Sequence, residues 1–452
     1  MAMLACATAC AHPSEQRHTR ADGASAAASA VTVSVSTATK SVTVGASTAA
    51  SAVARPKDNA APSTPNAAAP LNVVLITVDS LRADVPWLGY PRDIAPRLTE
   101  LAQRSVVYTH AYSLSSFTSK SVGGLLAGDY PSALTRDGQF FTRYFPSNLM
   151  FPEILQAAGV HTAAGHAHMY LDKGHGFEQG FDAYRVVDGI TFDYNKDPYI
   201  TSQKLTPLAM KLIGDAAAQG TFFAWFHYMD PHDVYLPHPG GPTFGRRARD
   251  LYDGEVFYTD QWIGKLLDFI ESSPWGKRTA IIVSADHGEA FGEHGFYRHA
   301  HELWEELVHV PLVFFVPGAA PRVIEQSRSA VDLAPTILEL TGVKSEAALR
   351  GVSLVAEVMG REAPAERPVI CDLPEDTFND RRRALIEGDY KLIAFGNDAR
   401  YELYQLRRDP GEKENLMRKD PEHAKQMLAR YRDLSSHIAK GEVKGGYLRK
   451  AP

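Results

Sequence analysis

The sequence feature that most restricts the fold is a seven-residue apolar run that ends at an acidic residue. The run Asn72–Val78 reads Asn-Val-Val-Leu-Ile-Thr-Val, and Asp79 follows it directly. A continuous β-branched apolar run predicts a strand buried on both faces, as in a parallel sheet. A second run of this kind, Thr279–Ala285, is also followed directly by an acidic residue, Asp286. A sheet built from such strands needs a covering layer on each face.

The rest of the chain supplies those layers. Further strand candidates lie at 221–227 and 310–316, and helical patterns cover 96–103, 151–158 and 254–271. Strands that alternate with helices predict an α/β sandwich. After about residue 345, residues 383–394 read as a hairpin, 402–406 as another strand and 421–437 as an amphipathic helix. We therefore predict a large helix-flanked sheet followed by a small C-terminal α+β subdomain.

Composition excludes several classes of protein. The chain has 452 residues, of which 44% are hydrophobic, and this is enough to bury a large core. The formal net charge of −6 gives no support for a nucleic-acid partner, which favours a basic surface. No apolar run reaches the roughly 18 residues of a membrane-spanning helix. Cys371 stands far from Cys6 and Cys10, so we expect it to be a small buried hydrophobe, although a disulfide to the N-terminus stays open.

The N-terminal residues suggest a tether behind an anchor. Residues 1–10 end in Ala-Thr-Ala-Cys, which resembles the end of a lipoprotein signal, but they lack a basic start and a full apolar region. Residues 11–70 are rich in Ala, Ser, Thr and Pro, and we expect them to form a disordered linker. We assign 71–345 to a catalytic domain, 346–440 to the C-terminal subdomain and 441–452 to a tail. The expected location is the periplasm or envelope of a bacterium, with an N-terminal lipid anchor.

Acidic and imidazole side chains follow the two apolar strands. Because the carboxyl ends of strands gather at one edge of an open α/β sheet, Asp79, Asp286 and His287 are expected to lie together. Two carboxylates and an imidazole suit one divalent ion such as Mn, Zn or Mg. The alternative is that each Asp caps a turn or helix.

A hydroxyl-rich segment, Ser115–Gly128, leads into a predicted helix at 119–127 with Thr118 near its N-cap. The start of a helix carries positive potential and free N–H groups, which suit an anionic phosphoryl or sulfuryl group. A plain Ser/Thr cap is the local alternative. Gly123 and Gly124 each cost about 1 kcal/mol relative to Ala inside a helix, and close packing against another backbone would offset this.

Five segments, taken in order, resemble the sulfatase-like branch of the alkaline phosphatase superfamily. They are 72–89, Leu125–Pro131, Ser284–Gly295 (Ser-Ala-Asp-His-Gly-Glu-Ala-Phe-Gly-Glu-His-Gly), 299–311 and Glu402–Leu416. The resemblance runs from about residue 72 to 437. It implies an alkaline-phosphatase-like sandwich with a central mixed sheet, and one divalent metal ion (Mn, Zn, Mg or Ca) held by Asp79, Asp286, His287 and the nucleophile.

The chain departs from the family at the nucleophile. Sulfatases use a Cys or Ser, converted to formylglycine, within Cys/Ser-x-Pro-x-Arg, and the matching position here is Thr118. Lys120 and Val122 stand where the Pro and Arg are expected, and Ser80 replaces the second Asp of a metal-binding pair. Threonine is not a substrate for formylglycine formation. The resemblance therefore implies Thr118 as both nucleophile and metal ligand, as in relatives that cleave phosphodiesters and phosphonate esters.

Other side chains match positions that meet the substrate. His232 and His299 match basic positions of the family, and either could protonate the leaving oxygen. His301 and Asp230 are weaker candidates for a second metal site. Lys120 is either an anion clamp or a solvent-facing cation.

The expected function is hydrolysis of an anionic phosphate, phosphonate or sulfate ester. Strict sulfatase activity, transfer of lipid or glycan headgroup phosphates, and non-catalytic binding on the same fold are the alternatives. Transfer is disfavoured because such transferases usually carry several membrane spans before the catalytic domain.

Overall fold

A nine-stranded mixed sheet and a smaller antiparallel sheet organise the chain. The computed structural model describes residues 69–190, 200–238 and 240–445. The predicted signal remnant (1–10) and nearly all of the predicted linker (11–70) lie outside these residues, as do residues 446–452 of the predicted tail.

The strands are β1 (Asn72–Val78), β2 (Val106–Tyr112), β3 (Arg136–Asp137), β4 (His161–His166), β5 (Ala183–Val186), β6 (Phe222–Tyr228), β7 (Thr279–Ala285), β8 (Ala290–Phe291), β9 (Tyr297–Arg298), β10 (His309–Phe315), β11 (Arg322–Ile324), β12 (Arg328–Ser329), β13 (Val369–Leu373), β14 (Arg382–Glu387), β15 (Tyr390–Phe395), β16 (Arg400–Gln405) and β17 (Val443–Lys444). The helices are α1 (Pro96–Gln103), α2 (Thr118–Ala127), α3 (Phe151–Ala157), α4 (Ser202–Ala217), α5 (Ala248–Ser272), α6 (Glu305–Val308), α7 (Leu333–Leu340), α8 (Val355–Val358) and α9 (Pro421–Ser436).

The large sheet has the order β11-β2-β10-β7-β1-β6-β4-β5, with β12 also paired to β2. Strand β1 lies between β6 and β7 and is parallel to both. Strand β10 runs antiparallel to β7 and to β2, and this makes the sheet mixed. Strand β4 is parallel to β6, so the carboxyl ends of β1, β4, β6 and β7 meet at one edge.

Strand β1 shows why an uninterrupted apolar run was needed. All seven of its residues are buried. Val73 and Leu75 belong to one hydrophobic cluster, which also includes residues of α2, α3 and α7. Val74 and Ile76 belong to another cluster on the opposite face, with residues of α1, α4 and α5. Helices on both faces leave no solvated side, as the β-branched run predicts.

The predicted elements are confirmed, with shifted ends in several cases. Strands β1 and β7 and helix α1 have the predicted bounds, whereas the strands predicted at 221–227 and 310–316 are each displaced by one residue. The helix predicted from Gly254 begins at Ala248 instead. The carboxylate of Asp250 accepts the backbone N–H of Arg247 and thereby stabilises the earlier start.

The smaller sheet is purely antiparallel, with the order β13-β14-β15-β16. The hairpin of β14 and β15 turns at residues 388–389, as predicted, and α9 packs on one face of this sheet together with Leu385 and Leu403. Cys371, in β13, is fully buried and is a free thiol, in agreement with its prediction as a small buried hydrophobe. The boundary proposed at residue 345 stays a prediction.

No helix in the described part of the chain is long and apolar enough to cross a bilayer.

Candidate active site

Two acidic residues meet where neighbouring strands end. Asp79 follows β1 and Asp286 follows β7, and the last residues of these strands, Val78 and Ala285, are direct partners in the sheet. Both carboxylates are buried, and ligand atoms of Asp79, Asp286 and His287 all lie within 4.8 Å of one another. The predicted convergence at one sheet edge is therefore present in the structure.

Thr118 reaches this cluster from the opposite side. It is the first residue of α2, and Phe117 rather than Thr118 occupies the N-cap position. The Thr118 Oγ1 atom lies 3.3 Å from Oδ2 of Asp79 and 3.1 Å from Nε2 of His287. Because the hydroxyl is turned towards the acidic cluster instead of capping α2, the plain-cap interpretation is wrong.

The two glycines explain how α2 comes so close. A Cβ on Gly123 would lie 2.2 Å from the ring of Tyr144. A Cβ on Gly124 would lie 2.7 Å from the Leu114 side chain and 2.8 Å from the backbone oxygen of Asp129. Close packing against a ring, a side chain and a backbone oxygen thus accounts for two residues that otherwise weaken the helix.

The protonation of His287 follows from its hydrogen bonds. Its Nδ1 lies 2.9 Å from the carbonyl oxygen of Gly288, which can only accept, so Nδ1 carries the proton. Nε2 then presents a lone pair towards Thr118. Burial, with the nearby His299, lowers the pKa of His287 to about 3, so the ring is neutral at physiological pH. A neutral imidazole with a free lone pair is the form that binds metals.

The two carboxylates have opposite electrostatic environments. Burial alone would raise the pKa of Asp79. Three neighbours together hold that pKa well below its usual value: the nearby His232, His227 through its hydrogen bond, and the nearby His287. Burial, reinforced by the charge of Asp79, raises the pKa of Asp286 well above its usual value. Two buried carboxylates this close disfavour a second negative charge unless a cation lies between them.

The donor set fits a divalent metal ion. Asp286 Oδ2 is buried and has no hydrogen-bond partner among the described residues, whereas Oδ1 accepts the N–H of His287 at 2.9 Å. An unpaired buried carboxylate oxygen is costly unless a cation or water satisfies it. Mixed oxygen and nitrogen donors suit Zn²⁺ or Mn²⁺.

Ser80 contacts both carboxylates. The Ser80 hydroxyl donates to Asp79 Oδ1 over 2.9 Å. Its backbone has φ of 58°, and its N–H points at Asp286 Oδ1 over 3.4 Å. Ser80 therefore bridges the two carboxylates by hydrogen bonds and adds no negative charge.

A chain of hydrogen bonds links Trp225, Thr77 and His227 to Asp79. Trp225 Nε1 lies 2.9 Å from Thr77 Oγ1, and Thr77 Oγ1 lies 2.8 Å from His227 Nδ1. The ionised Asp79 carboxylate can only accept, so the proton of the neutral His227 ring lies on Nε2, and Nδ1 accepts from the Thr77 hydroxyl. This Nε2 lies 3.2 Å from Asp79 Oδ2. The chain orients both the imidazole and the carboxylate.

His227 and His168 are site residues that sequence reasoning missed. His227 ends the strand predicted at 221–227. The sequence feature that could have indicated its role is an imidazole two residues after Trp225, on a strand beside β1. His168 lies after β4; its Nδ1 accepts the N–H of Tyr170 over 3.2 Å, so its proton is on Nε2, which lies 3.7 Å from Asp79 Oδ2. Only the sheet order brings these residues to the same edge.

The two histidines predicted to meet the leaving group lie together beside His287. The ring centroids of His299 and His287 are 4.3 Å apart, and those of His299 and His232 are 5.0 Å apart. His299 Nδ1 lies 3.2 Å from the carboxylate of Glu289, which can only accept when ionised and therefore orients the ring. His232 Nδ1 similarly lies 2.8 Å from the carbonyl oxygen of Asp233.

Lys120 is fully buried, so its interpretation as a solvent-facing cation is wrong. Its ammonium forms an ion pair with Asp376, and it also lies over the rings of Phe117 and Phe140, 4.6 Å and 5.2 Å from their centroids. The pair with Asp376 satisfies the buried charge. Its predicted role as an anion clamp stays a prediction.

The weaker candidates have other partners. The Asp230 carboxylate accepts from the backbone N–H of Ser202 over 2.7 Å and from the hydroxyl of Thr201 over 2.8 Å, at the start of α4. His301 Nδ1 lies 2.7 Å from Oδ1 of Asn379. Asp230 thus caps a helix, and the two residues have separate structural partners.

Comparison with known proteins gives the family of the chain. Residues 71–343 match the family described as Sulfatase, and residues 292–439 match the one described as N-sulphoglucosamine sulphohydrolase, C-terminal. A choline-sulfatase from Rhizobium meliloti (strain 1021) is 26% identical over 427 residues, covering 76% of this chain and 82% of the relative. An ulvan-active sulfatase from Formosa agariphila is 27% identical over 348 residues, covering 66% and 67%.

Solved structures share the fold. A 2-O GAG sulfatase superposes with a TM-score of 0.67 at 20% identity, covering 81% of this chain and 91% of that one. A phosphonate monoester hydrolase of Agrobacterium radiobacter superposes with a TM-score of 0.65 at 18% identity, covering 81% and 95%. Because the Sulfatase match spans more than half of the chain and includes Asp79, Thr118, Asp286 and His287, the protein belongs to the sulfatase family of hydrolases that act on ester bonds.

Proposed function

We propose that this protein is a metal-dependent hydrolase with Thr118 as its nucleophile, and that it cleaves phosphate or phosphonate esters in preference to sulfate esters. The observation that carries the proposal is the position of the Thr118 hydroxyl, 3.3 Å from Asp79 and 3.1 Å from His287. An alcohol beside a carboxylate and a neutral imidazole is placed to lose its proton and attack.

Asp79, Asp286 and His287, with Thr118, would hold one divalent ion (Mn²⁺, Zn²⁺, Mg²⁺ or Ca²⁺), which when bound supplies charge neutralisation and Lewis-acid polarisation. The unpaired Oδ2 of Asp286 and the lone pair of His287 Nε2 support this assignment. Hydrogen bonds from Ser80 and His227 orient Asp79.

In the first step, the Thr118 hydroxyl proton passes to Asp79 Oδ2 and Thr118 Oγ1 forms a bond to phosphorus. The bond from phosphorus to the leaving oxygen breaks, and that oxygen takes a proton from His299 or His232. The product of this step is a phosphorylated Thr118 and a free alcohol. The rings of His232 and His299 contact each other, and the ring of His299 also contacts that of His287.

In the second step, water attacks phosphorus and the bond to Thr118 Oγ1 breaks. The histidine that gave its proton to the leaving group takes one from the water, and Thr118 recovers its proton from Asp79. Each group returns to its starting state, so turnover needs no further reactant.

The ordering of substrates rests on the nucleophile. Threonine is not converted to formylglycine, the group through which sulfatases proper act. We test the ordering by measuring kcat/KM for an aryl phosphodiester, an aryl phosphonate monoester and an aryl sulfate, each with added Mn²⁺, Zn²⁺ or Ca²⁺. We expect the phosphorus esters to be cleaved faster. A higher kcat/KM for the aryl sulfate would instead favour the strict sulfatase, which the names of the curated relatives also suggest.

The nucleophile has its own test. We expect Thr118→Ala to lower kcat on the order of 10⁴-fold or more, because no other group forms the covalent intermediate. Thr118→Ser keeps the hydroxyl and should retain measurable turnover. Thr259→Ala removes a buried hydroxyl on α5 that has no hydrogen-bond partner among the described residues, so it is a matched control that should stay active. Undiminished activity of Thr118→Ala would refute the assignment.

A phosphotransferase differs from a hydrolase only in the acceptor of the second step. Adding glycerol or a sugar alcohol to the assay and quantifying phosphorylated acceptor distinguishes them. We expect the same yield of inorganic or monoester phosphorus product with and without the added alcohol.

We also propose export to a bacterial envelope, on the basis of the Ala7–Cys10 motif and the linker composition. Residues 1–68 lie outside the described part of the chain, so the support comes from sequence alone. Expressing the chain with Cys10→Ala and fractionating the cells tests it; loss of membrane attachment is expected, and an unchanged distribution would contradict it.

A further inference from the structure

A second cluster of metal-binding side chains lies outside the proposed catalytic centre. Its members are His294, in the turn at Glu293–Gly295, Glu306, in α6, and Glu412, in the loop after β16. One ligand atom of each lies within 4.8 Å of the others. The side chains are 15%, 6% and 0% exposed, respectively. Two neighbouring parts of the segment after β7 and a loop that follows Glu306 by 106 residues thus bring one imidazole and two carboxylates together.

One oxygen of the Glu306 carboxylate lies in this cluster without a hydrogen-bond partner among the described residues. This atom, Oε1, is buried and lies 3.9 Å from Nε2 of His294. That separation is too long for a hydrogen bond but suits two ligands of one ion, which lie about 3–4 Å apart when each bond is about 2 Å. A buried carboxylate oxygen left unpaired is costly, and a bound cation removes the cost.

The surrounding side chains hold the other two ligands in place. The His294 ring stacks on Trp304 with centroids 4.0 Å apart and planes 9° apart. One oxygen of Glu412 accepts the backbone N–H of Glu305 over 2.6 Å. Preorganised ligands of this kind are expected at a metal site, since orientation by neighbouring groups raises affinity.

The local charge also favours a cation. Lys391 Nζ lies 2.9 Å from Glu305 and 3.0 Å from Glu412, so one ammonium serves two carboxylates. Glu306 adds a third carboxylate, so the formal charge over Lys391, Glu305, Glu306 and Glu412 is −2 when all four groups are ionised. An ionised carboxylate has about four acceptor positions, so Glu412 can bind an ion while it contacts Lys391. A divalent ion would neutralise the cluster.

A cavity of about 970 Å³ adjoins the cluster and is lined by all three residues. Water in this space can complete the coordination sphere. Ca²⁺ prefers six to eight oxygen ligands, whereas an imidazole with carboxylates is typical of Zn²⁺ and similar transition metals.

We propose that His294, Glu306 and Glu412 bind a second divalent transition-metal ion of the Zn²⁺ class, which fastens the segment after β7 to the C-terminal sheet. That segment also carries His287 and His299. The second ion would therefore stabilise the segment that presents these two histidines, while taking no ligand from the proposed catalytic centre.

Zinc stoichiometry of the full-length protein tests this proposal. The chain is stripped with a chelator, dialysed against Zn²⁺ with a weak competing chelator, and assayed by inductively coupled plasma mass spectrometry. We expect Glu306→Gln and, independently, His294→Gln to bind one ion fewer per chain than the unaltered protein. Glu402→Gln makes the same charge change in the same cavity, at a residue paired with Arg400, and should bind as many ions as the unaltered protein. Circular dichroism verifies that each variant is folded.

Equal stoichiometry in Glu306→Gln and the unaltered protein would overturn the proposal. So would equal losses in Glu306→Gln and Glu402→Gln, which would indicate binding by charge alone. X-ray absorption at the zinc edge of the Asp286→Asn variant examines the second site with all three of its ligands present. The result therefore does not depend on the folding of a variant that lacks one of them. We expect nitrogen and oxygen neighbours at about 2.0–2.2 Å, including one imidazole.

The test separates this site from the catalytic one. Asp286→Asn should remove the ion proposed for the catalytic centre and leave the second ion. If the catalytic proposal fails, Asp286→Asn will change nothing while Glu306→Gln still loses one ion. If the present proposal fails, the reverse pattern will appear.

Discussion

Asp79 is held by different groups at its two oxygens. Oδ1 accepts from the hydroxyl of Ser80, and Oδ2 is approached by His227 Nε2 and Thr118 Oγ1. Of these groups, only Thr118 is proposed to change its bonding during the reaction. The carboxylate is therefore oriented before substrate arrives, and orientation of this kind lowers the reorganisation required during the reaction.

Thr77→Val should weaken this orientation. Valine keeps the shape of threonine but cannot donate to His227 Nδ1, so the ring loses the bond that fixes its proton on Nε2. We expect metal affinity and kcat to fall by about 10- to 100-fold, as is typical when a group that orients a metal ligand is removed. Isothermal titration with Mn²⁺ or Zn²⁺ and steady-state kinetics measure the two effects.

A matched control is Thr206→Val, in α4. Thr206 is buried, and its hydroxyl contacts the Tyr228 hydroxyl over 2.8 Å and the Trp262 carbonyl oxygen over 3.1 Å, not Asp79, Asp286 or His287. This variant has the same chemical change and should leave metal affinity unaltered. If both variants lose affinity equally, the effect is general destabilisation and the relay through His227 has no special role.

The thiol of Cys371 should be unreactive in the folded protein. Burial raises the pKa of Cys371 to about 12, so the nucleophilic thiolate is scarce at neutral pH, and the sulfur is inaccessible. Treatment with iodoacetamide at pH 8, followed by peptide mass spectrometry, should leave Cys371 unmodified until denaturant is added. Rapid alkylation of the native protein would show that β13 opens to solvent.

At the scale of elements, α1 begins without a cap of its own. Its N-cap is Ala95, which has no capping side chain. The carboxylate of Asp260, in α5, accepts instead the backbone N–H groups of Arg97 and Leu98 over 3.0 Å and 2.8 Å. A residue far along the chain therefore satisfies the first turn of α1, and it joins the two helices on that face of the sheet.

Asp260 should make stability depend on pH. Burial raises the pKa of Asp260 to about 7 in the folded protein, despite the two N–H groups that lower it, against 3.8 as the ordinary value. The folded state then holds this proton more tightly than the unfolded state, so its contribution to stability falls as pH rises from about 4 to about 7. Asp260→Asn keeps one acceptor oxygen and cannot ionise. We expect the free energy of unfolding of Asp260→Asn, relative to that of the unaltered protein, to be higher at pH 8 than at pH 5.

Urea unfolding at the two pH values measures this difference. Asp268→Asn alters a more exposed carboxylate on the same helix and serves as the control. A relative stability of Asp260→Asn that is the same at both pH values would contradict the prediction.

The elements were predicted well where local pattern determines them. The apolar runs that became β1 and β7 are buried on both faces, so the sequence there has little freedom. The start of α5 was placed too late, because its signal is not an apolar repeat but the carboxylate of Asp250, which accepts the backbone N–H of Arg247 before the helix. Strand β13 was not predicted at all.

The site was predicted only in part for a related reason. Asp79, Asp286 and His287 follow strands directly, so the topology of a parallel sheet brings them together. His168 and His227 also reach that edge, but their approach to Asp79 depends on the order of β4, β6 and β1 in the sheet. The partner of Lys120 is Asp376, 256 residues away, and no local pattern indicates such a pair.

At the scale of the whole molecule, the C-terminal part of the chain holds both ends of α2. Near the start of the helix, Lys120 pairs with Asp376. Just beyond its end, the backbone N–H of Ser132 donates to Asp372 over 2.8 Å, and Arg383 donates to the same carboxylate and to the Ser132 hydroxyl. The helix that presents Thr118 is thus fixed by contacts with residues that follow it by more than 200 positions.

Asp372→Ala should destabilise the protein strongly. Asp372 and Arg383 have side chains 0% and 5% exposed, and removing one partner leaves the other charge buried and unpaired. The expected loss is about 3–5 kcal/mol in the free energy of unfolding. The double variant Asp372→Ala with Arg383→Leu also removes the unpaired charge of Arg383 and should recover part of the lost free energy of unfolding. Denaturant unfolding of all three proteins checks this, and a loss below about 1 kcal/mol for Asp372→Ala would be inconsistent with a buried pair.

The contacts that hold α2 also set the order in which activity can arise during synthesis. A ribosome releases Asp79 and Thr118 early, but Arg383 lies 251 residues after Ser132 and Asp376 lies 256 residues after Lys120. Until those residues emerge, the nascent chain has its nucleophile but not the side chains that fix the helix carrying it. We expect incomplete chains stalled before β13 to be inactive, so that ester cleavage begins only when almost the whole protein has been made.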